Sequence, residues 1–183
     1  MTYFDKLLQR WRVRKAAQFV PPGASVLDIG TADGALFRAL ADVRDSVGVD
    51  LDLDYRKLPK SQRGTLYQGT FPQVLPNPRT FDVITMLATL EHIPESALDG
   101  LAADCAAHLR PGGRLILTVP SPRVDTILAV LQKLRVIDGM AAEQHHGFDV
   151  RKTPSIFEAH AFVLRSHQTF QLGLNNLFVF ELD

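Results

Sequence analysis

One acid and two glycines stand where a predicted strand, Val26–Ile29, runs through a short turn into a predicted helix, and a second acid stands at the end of the next predicted strand. Asp28 lies inside the strand, Gly30 and Gly34 lie in the turn, and Asp50 follows at the end of a second predicted strand. Glycine lets a ligand approach the backbone closely, and the free N–H groups at a helix start attract anions. An acid at the end of the second strand of an open α/β sheet reaches ribose hydroxyls. We therefore predict an adenosine ligand across the carboxyl ends of these two strands.

The charge of Asp28 indicates which kind of adenosine ligand the turn accepts. A dinucleotide site needs the pattern G-x-G-x-x-G, with its second glycine against a pyrophosphate, and this turn lacks that triple. An acid near the turn repels a pyrophosphate but suits an ammonium or sulfonium group. The sequence therefore favours S-adenosylmethionine over NAD, and a nicotinamide-dependent oxidoreductase is disfavoured.

Three histidines are candidates for a general base, because an unperturbed imidazole titrates near neutral pH. His92 follows the fourth predicted strand, and His145 and His146 lie in a polar segment before the last predicted helix. His92 has a second interpretation, in which it caps the helix beginning at Pro94 or shapes the pocket. The histidine pair has a role in substrate contact as its alternative. Neighbouring histidines diverge and no H-x-x-x-H spacing occurs, so we predict no metal site.

Short apolar runs that alternate with helical patterns must position these residues. Such alternation predicts a mostly parallel sheet with helices on both faces. A short turn before the last strand predicts an antiparallel end to that sheet, because such a turn joins antiparallel neighbours. The predicted strands are Val26–Ile29, Val47–Leu51, Thr65–Gln68, Phe81–Leu87, Leu115–Val119, Phe162–Phe170 and Asn176–Leu182. The predicted helices are Tyr3–Phe19, Gly34–Ala41, Pro94–Leu109, Arg123–Ile137 and a short one from Thr153.

The first predicted helix is strongly basic and has two interpretations. Its cations are Lys6, Arg10, Arg12, Arg14 and Lys15, against the single acid Asp5. They form either a docking face for an anionic partner or a solvated face of a helix that packs on the sheet, and we favour the second. Trp11 is expected to pack in the core or under a lid, and Cys105 is expected to be a small buried apolar side chain.

Composition limits the class of protein. The 183 residues carry twenty cations and twenty anions, and 46% of them are hydrophobic, which is enough for a core. We predict one domain over residues 1–183, with an N-terminal helix in 1–22 and a helical insertion or lid in 121–152. The absence of a signal peptide or an apolar run long enough to cross a bilayer predicts a soluble cytoplasmic protein with no membrane partner. The zero net charge argues against a nucleic-acid partner.

Four segments in order resemble the motifs of class I S-adenosylmethionine-dependent methyltransferases of the small-molecule branch. They are residues 26–34, Val47–Asp50, Phe81–Ile93 and Leu109–Leu115. The resemblance covers residues 24–120, and the tail is similar to the reversed last strand of the family. It implies a Rossmann-like three-layer α/β sandwich with a seven-stranded sheet in the order 3-2-1-4-5-7-6.

The resemblance also implies a cofactor site. Asp28, Gly30 and Gly34 would surround the methionine part, Asp50 would bind the ribose, and Ala88 would offer its backbone. Thr70 stands where an acid often accepts from the adenine amino group, and Phe71 would give its N–H to the ring or stack on it. The predicted cofactor-binding set is completed by Thr31 and Leu51. In the turn, Ala32 replaces a middle glycine.

The sequence therefore predicts methyl transfer from S-adenosylmethionine to a small-molecule O, N or C centre, with His92, His145 or His146 as a base. Two alternatives remain. One is methylation of RNA or protein, which the basic N-terminal helix motivates. The other is a binding module that has lost turnover, which Ala32 and Thr70 motivate. A homodimer is possible in each case.

Overall fold

The computed structural model describes residues 3–61, 63–77, 79–121 and 148–183, with the backbone alone for residues 3–5. Seven strands form one sheet: β1 (Ala24–Ile29), β2 (Val43–Asp50), β3 (Thr65–Gln68), β4 (Phe81–Leu87), β5 (Leu109–Pro120), β6 (Phe162–Phe170) and β7 (Asn175–Leu182). The helices are α1 (Tyr3–Ala17), α2 (Ala35–Ala39), α3 (Leu98–His108) and α4 (Thr153–Glu158).

The order of strands across the sheet is β3-β2-β1-β4-β5-β7-β6. Neighbours from β3 to β5 pair in parallel, whereas β7 pairs antiparallel with both β5 and β6. The predicted α/β fold, strand order and reversed last strand are thus confirmed. All strands that lead into the candidate site end at one edge of the sheet, because parallel strands share a direction.

The core has two layers, one on each face of the sheet. Side chains alternate along each strand, so that Leu27 and Ile29 of β1 enter one layer while Val26 enters the other. The first layer includes Phe157 of α4, and the second includes Val13 of α1. The central strands are buried on both faces, which explains their nearly continuous apolar sequence.

Several predicted boundaries were wrong. The helix expected from Pro94 begins at Leu98, because Pro94 is extended (ψ 140°) and is followed by a 3-10 turn, Glu95–Ala97. The strand β5 begins directly after the helix, at Leu109, but Arg110–Gly113, expected to form a connecting turn, interrupt its pairing with β4, and Gly112 has φ of +73°. The strand β2 begins earlier than predicted, at Val43.

Some predictions concern residues outside the described ranges. The predicted helix Arg123–Ile137 and most of the predicted insertion 121–152 belong to this group. Trp11, expected to be packed, is 48% exposed, whereas Cys105 is fully buried as expected. No helix among the residues described here combines the length and apolar character needed to cross a membrane.

Candidate active site

A cavity of about 950 Å³ opens at the carboxyl ends of β1, β2 and β4. It collects most of the residues predicted to bind a cofactor or act as a base: Asp28, Gly30, Thr31, Asp50, Leu51, Thr70, Phe71, Ala88 and His92. Gly34 is not part of the wall. It precedes α2 with φ of +68°, and its N–H donates to the Thr31 carbonyl oxygen at 2.9 Å. It therefore stabilises the turn without lining the cavity. His145 and His146 lie outside the described residues.

Gly30 brings the first turn against the end of β4. Its φ is +77°, and a Cβ atom there would lie 2.2 Å from Oγ1 of Thr89. Both the backbone conformation and the space therefore require glycine. The Gly30 N–H donates to the Val49 carbonyl oxygen at 2.8 Å, which ties the turn to β2. Gly30 consequently faces the cavity with its backbone, which no side chain covers.

Asp50 is held in place by backbone donors. The Ala32 N–H donates to Oδ2 at 2.8 Å, and the Asp52 N–H donates to Oδ1 at 2.9 Å. Ala32 has φ of +48°, the left-handed region that an L side chain adopts only at a cost. Ala32 thus adopts the left-handed conformation expected of the glycine that it replaces. The carboxylate is preorganised, with lone pairs still available to a diol.

Asp28 is a buried acid at the floor of the cavity, only 3% exposed. Burial raises its pKa to about 6, against the opposing effect of the Thr85 hydroxyl, which donates to Oδ1 at 2.6 Å. The charge of Asp50 raises it further. A buried carboxylate gains most from a positively charged ligand, which would offset its desolvation.

The wall beyond Thr70 is formed by Phe71 and α3. The Phe71 ring is buried and meets the His108 ring edge to face, with 5.1 Å between centroids. The α3 side of the wall is formed by Ala97, Gly100, Leu101 and Asp104. Sequence reasoning missed Asp104, although the i, i+3, i+4, i+7 spacing of this set, typical of one helix face, could have identified it.

The opposite wall belongs to α1. Gln9, Arg12 and Val13 line the cavity, and Nε2 of Gln9 donates to Oδ1 of Asp33 at 3.2 Å. Among the described lining residues Arg12 is the one guanidinium or ammonium group, facing a cavity that also holds Asp28, Asp50, Asp52 and Asp104. Of the basic residues of α1, Arg12 therefore lines the cavity, whereas Lys6, Arg10 and Arg14 are exposed.

His92 lies at the rim of the cavity. It ends a 3-10 turn, Leu90–His92, whose start follows the carboxyl end of β4, and its side chain is exposed. The same edge of the sheet carries Asp28 and Asp50, so a base here borders the ligand space. Across the ranges that the structure describes, no group of three or more His, Cys, Asp or Glu side chains could hold a metal ion.

Comparison with known proteins places this chain in a family. A model described as a methyltransferase domain matches residues 3–167. Ubiquinone biosynthesis O-methyltransferase from Idiomarina loihiensis is 33% identical over 114 residues, which are 58% of this chain and 46% of that protein. The chain spans about half the length of the curated relatives it matches.

Two solved structures share the fold. One is magnesium protoporphyrin IX methyltransferase from Synechocystis PCC 6803 with bound SAH, with a TM-score of 0.67 and 16% identity, covering 100% of this chain and 89% of that one. The other is the PH0226 protein from Pyrococcus horikoshii OT3, with a TM-score of 0.74 and 14% identity, covering 100% and 93%. The family predicted from the four motifs is confirmed, and S-adenosylmethionine is the cofactor that it implies. The chain belongs to the methyltransferase domain family.

Proposed function

We propose that this protein transfers a methyl group from S-adenosylmethionine to a small-molecule acceptor. The observation that carries the proposal is the convergence of Asp28, Asp50 and the Gly30 turn on one cavity. When bound, the cofactor would supply a methyl group on a sulfonium, and the carbon–sulfur bond would break as the acceptor takes the methyl group and S-adenosylhomocysteine leaves. The protein therefore has to position and desolvate the acceptor, and it needs no nucleophile of its own.

The residues fit the two polar ends of the proposed cofactor. Asp50, held by two backbone N–H groups, is suited to accept from the ribose hydroxyls. Asp28 supplies a negative charge for the ammonium and sulfonium groups, and Arg12 on the facing wall supplies a positive charge for the methionine carboxylate. The Ala88 N–H already donates to the Thr118 carbonyl oxygen at 2.9 Å, so its carbonyl oxygen is the group left for the cofactor.

The adenine end would lie between Phe71 and α3. Thr70 offers a hydroxyl where an acid was expected, and Asp104 brings a carboxylate to the same cavity from α3. The helix α3 packs against the Thr70–Phe71 segment, because His108, one turn after Asp104, contacts the Phe71 ring. Asp104 is therefore our candidate acceptor for the adenine amino group. Leu51 and Thr31 would complete the enclosure of the cofactor.

We propose His92 as the base for acceptors that must lose a proton, because its imidazole borders the ligand space. A base role for His145 and His146 stays a prediction, as do function in the cytoplasm and a homodimer. The relatives' names concern a quinone pathway, and a phenolic acceptor oxygen is the kind of centre such a base would deprotonate.

Calorimetric titration tests the proposal at the cofactor. The protein is titrated with S-adenosylmethionine, S-adenosylhomocysteine and NAD, and the titration is repeated on Asp50→Ala and on Asp42→Ala, which removes an exposed acid outside the cavity. We expect the first two ligands to bind, NAD not to bind, and Asp50→Ala to weaken binding by about a hundredfold, the value of two hydrogen bonds to a charged group. Asp42→Ala should bind normally.

Two outcomes would contradict the proposal. Equal binding by Asp50→Ala would remove that residue from the ribose site, and NAD binding would return the oxidoreductase alternative. If the cofactor binds but incubation with small-molecule extracts and labelled methyl donor gives no labelled product, the chain is a binding module instead. Label in RNA or protein would point to the macromolecular alternative.

A further inference from the structure

The outer face of α1 carries two neighbouring rows of side chains. Lys6, Arg10 and Arg14 are four residues apart and form a basic row, and Leu7 and Trp11 form an apolar row beside it. Leu7 is 50% exposed and Trp11 is 48% exposed. None of the three cations forms an ion pair with another residue in the described part of the chain. Large apolar groups and unpaired cations are thus presented together.

A third apolar side chain stands next to this face. Leu172, in the turn between β6 and β7, is 97% exposed and has φ of +58°. The turn is attached to α1, because Nε2 of Gln171 donates to the Leu8 carbonyl oxygen at 3.1 Å. We call the six residues Lys6, Leu7, Arg10, Trp11, Arg14 and Leu172 the docking surface.

The docking surface flanks the cavity. Gln9, Arg12 and Val13, on the inner side of α1, line the cavity. The turn that holds Leu172 lies at the carboxyl end of β5, because Asn175, the first residue after it, pairs with Pro120, the last residue of β5. Both parts of the surface therefore lie at the edge of the sheet where the cavity opens.

The chemistry of the docking surface identifies its partner. A helix face that joins tryptophan and leucine to lysine and arginine is suited to the interface between lipid headgroups and acyl chains, where cations meet anionic lipid. Aliphatic side chains such as Leu7 and Leu172 gain from hydrocarbon, whereas they contribute neither stacking nor hydrogen bonds to a nucleic acid. The basic row is local, since the chain as a whole has zero net charge.

We propose that the docking surface binds a membrane that contains anionic lipids, beside the opening of the cavity. This inference is independent of the cofactor and of the transferred group. It replaces the prediction that the protein has no membrane partner, because that prediction rested on the absence of a spanning segment. Peripheral binding needs no spanning segment, and its strength depends on the exposed apolar area that enters the lipid and on attraction to anionic headgroups.

Trp11 provides a direct assay, because it is the only tryptophan of the chain. The protein is mixed with phosphatidylcholine vesicles, with or without phosphatidylglycerol, and both tryptophan emission and flotation are measured. We expect flotation only with the anionic vesicles, with a blue shift of the emission as the indole leaves water, and loss of binding at high salt. No flotation with anionic vesicles, or flotation without a change in emission, would overturn the proposal.

Variants separate the docking surface from the rest of the protein. Leu172→Ser removes an exposed side chain, so the fold should persist, and we expect about a tenfold loss of partition into anionic vesicles. The double variant Arg10→Gln, Arg14→Gln should lose at least as much, together with most of the salt dependence. Lys60→Gln, an exposed cation in the segment before β3, is the control and should bind as the parent does. S-adenosylhomocysteine binding should be unchanged in all three, which keeps this test separate from the cofactor proposal.

Other partners give different results, and each would overturn the proposal. Vesicle binding that Leu172→Ser leaves intact would show that Leu172 does not enter lipid and that the docking surface, as defined, is wrong. Salt-dependent binding to RNA without vesicle binding would assign the basic row to a nucleic acid. Self-association that Leu172→Ser abolishes, measured by light scattering, would assign the docking surface to a second copy of this chain.

Discussion

At the scale of single residues, Asp28 is a buried acid at a position where the stability of the fold alone would favour an apolar side chain. Asp28 lies in the middle of an apolar strand, and its neighbours Leu27 and Ile29 are core residues. Its carboxylate is desolvated, and the hydrogen bond from the Thr85 hydroxyl compensates only in part. A residue that breaks the local pattern without stabilising the fold is a candidate for function. Asp28 therefore marks the cationic end of the ligand.

We expect Asp28→Asn to stabilise the protein without ligand at neutral pH. The folded-state pKa of about 6 lies above the ordinary 3.8, so between these values the folded state holds more protons and stability falls as the pH rises. The shift corresponds to roughly 3 kcal/mol. Because the new amide needs its own acceptor, we expect a gain of about 1–2 kcal/mol near pH 7 that disappears below about pH 4.

Urea unfolding of both proteins at the two pH values checks this expectation. Asp42→Asn, a change of an exposed acid, serves as the control and should leave the pH dependence unaltered. A variant less stable than the parent near pH 7 would show that the carboxylate is not a burden on the fold. Cofactor affinity should fall in Asp28→Asn even where stability rises.

At the scale of elements, α3 serves both the core and the cavity. Ala102 and Cys105 are buried on one side, and Gly100 and Asp104 face the cavity on the other. A Cβ atom at Gly100 would meet nothing within 4 Å, so this glycine leaves open space in a helix where alanine would be more stable. The helix has thus kept room for a ligand.

Gly100 therefore allows a test of the wall by filling it. Gly100→Ala should stabilise the protein by about 0.5–1 kcal/mol and retain cofactor binding. Gly100→Phe should still fold, since its side chain enters open space, but should weaken S-adenosylhomocysteine binding by at least about tenfold, a steric loss of roughly 1.4 kcal/mol or more. Calorimetry and thermal unfolding of the two variants give both quantities. Undiminished binding in Gly100→Phe would move the adenine end away from α3.

At the scale of the whole molecule, the two apolar layers make the fold a cooperative unit. Cys105, the only cysteine of the chain, packs with residues of the sheet, such as Met86 and Leu115, in the first layer. Burial raises the pKa of its thiol far above the usual range, and the charge of Asp104 adds to the effect. The thiol is therefore unreactive until the layer opens.

We expect an aromatic disulfide reagent to label Cys105 only through opening of the core. In native buffer the labelling should be slow. The logarithm of its rate should rise linearly with urea concentration, with a slope set by the surface that opening exposes. Ser96→Cys adds an exposed thiol and should react at once, which controls for the reagent. Rapid labelling of the parent protein would mean that α3 opens locally, apart from the sheet.

The sequence by itself determined the sheet and the position of the ligand edge. Residue type repeats with the period of the backbone, so the strands, their order through the family motifs, and the clustering of Asp28, Gly30, Asp50, Thr70 and Ala88 were predictable. The starts of α3 and β5 were not, because a 3-10 turn precedes α3 and Leu109 already pairs with Phe81 of β4. Arg110–Gly113 then interrupt that pairing, which resumes between Val83 and Arg114.

Only the tertiary structure decided which side chains from distant elements share the cavity and which face outward. Arg12 and Arg10 are alike in sequence, yet one lines the cavity and the other faces solvent, because packing of α1 on the sheet sets its rotation. Asp104 shares the cavity with the ends of strands far away in the chain, and the turn that holds Leu172 is attached to α1 by the hydrogen bond from Gln171 to Leu8. Such contacts depend on how elements pack in three dimensions, and local patterns carry no record of them.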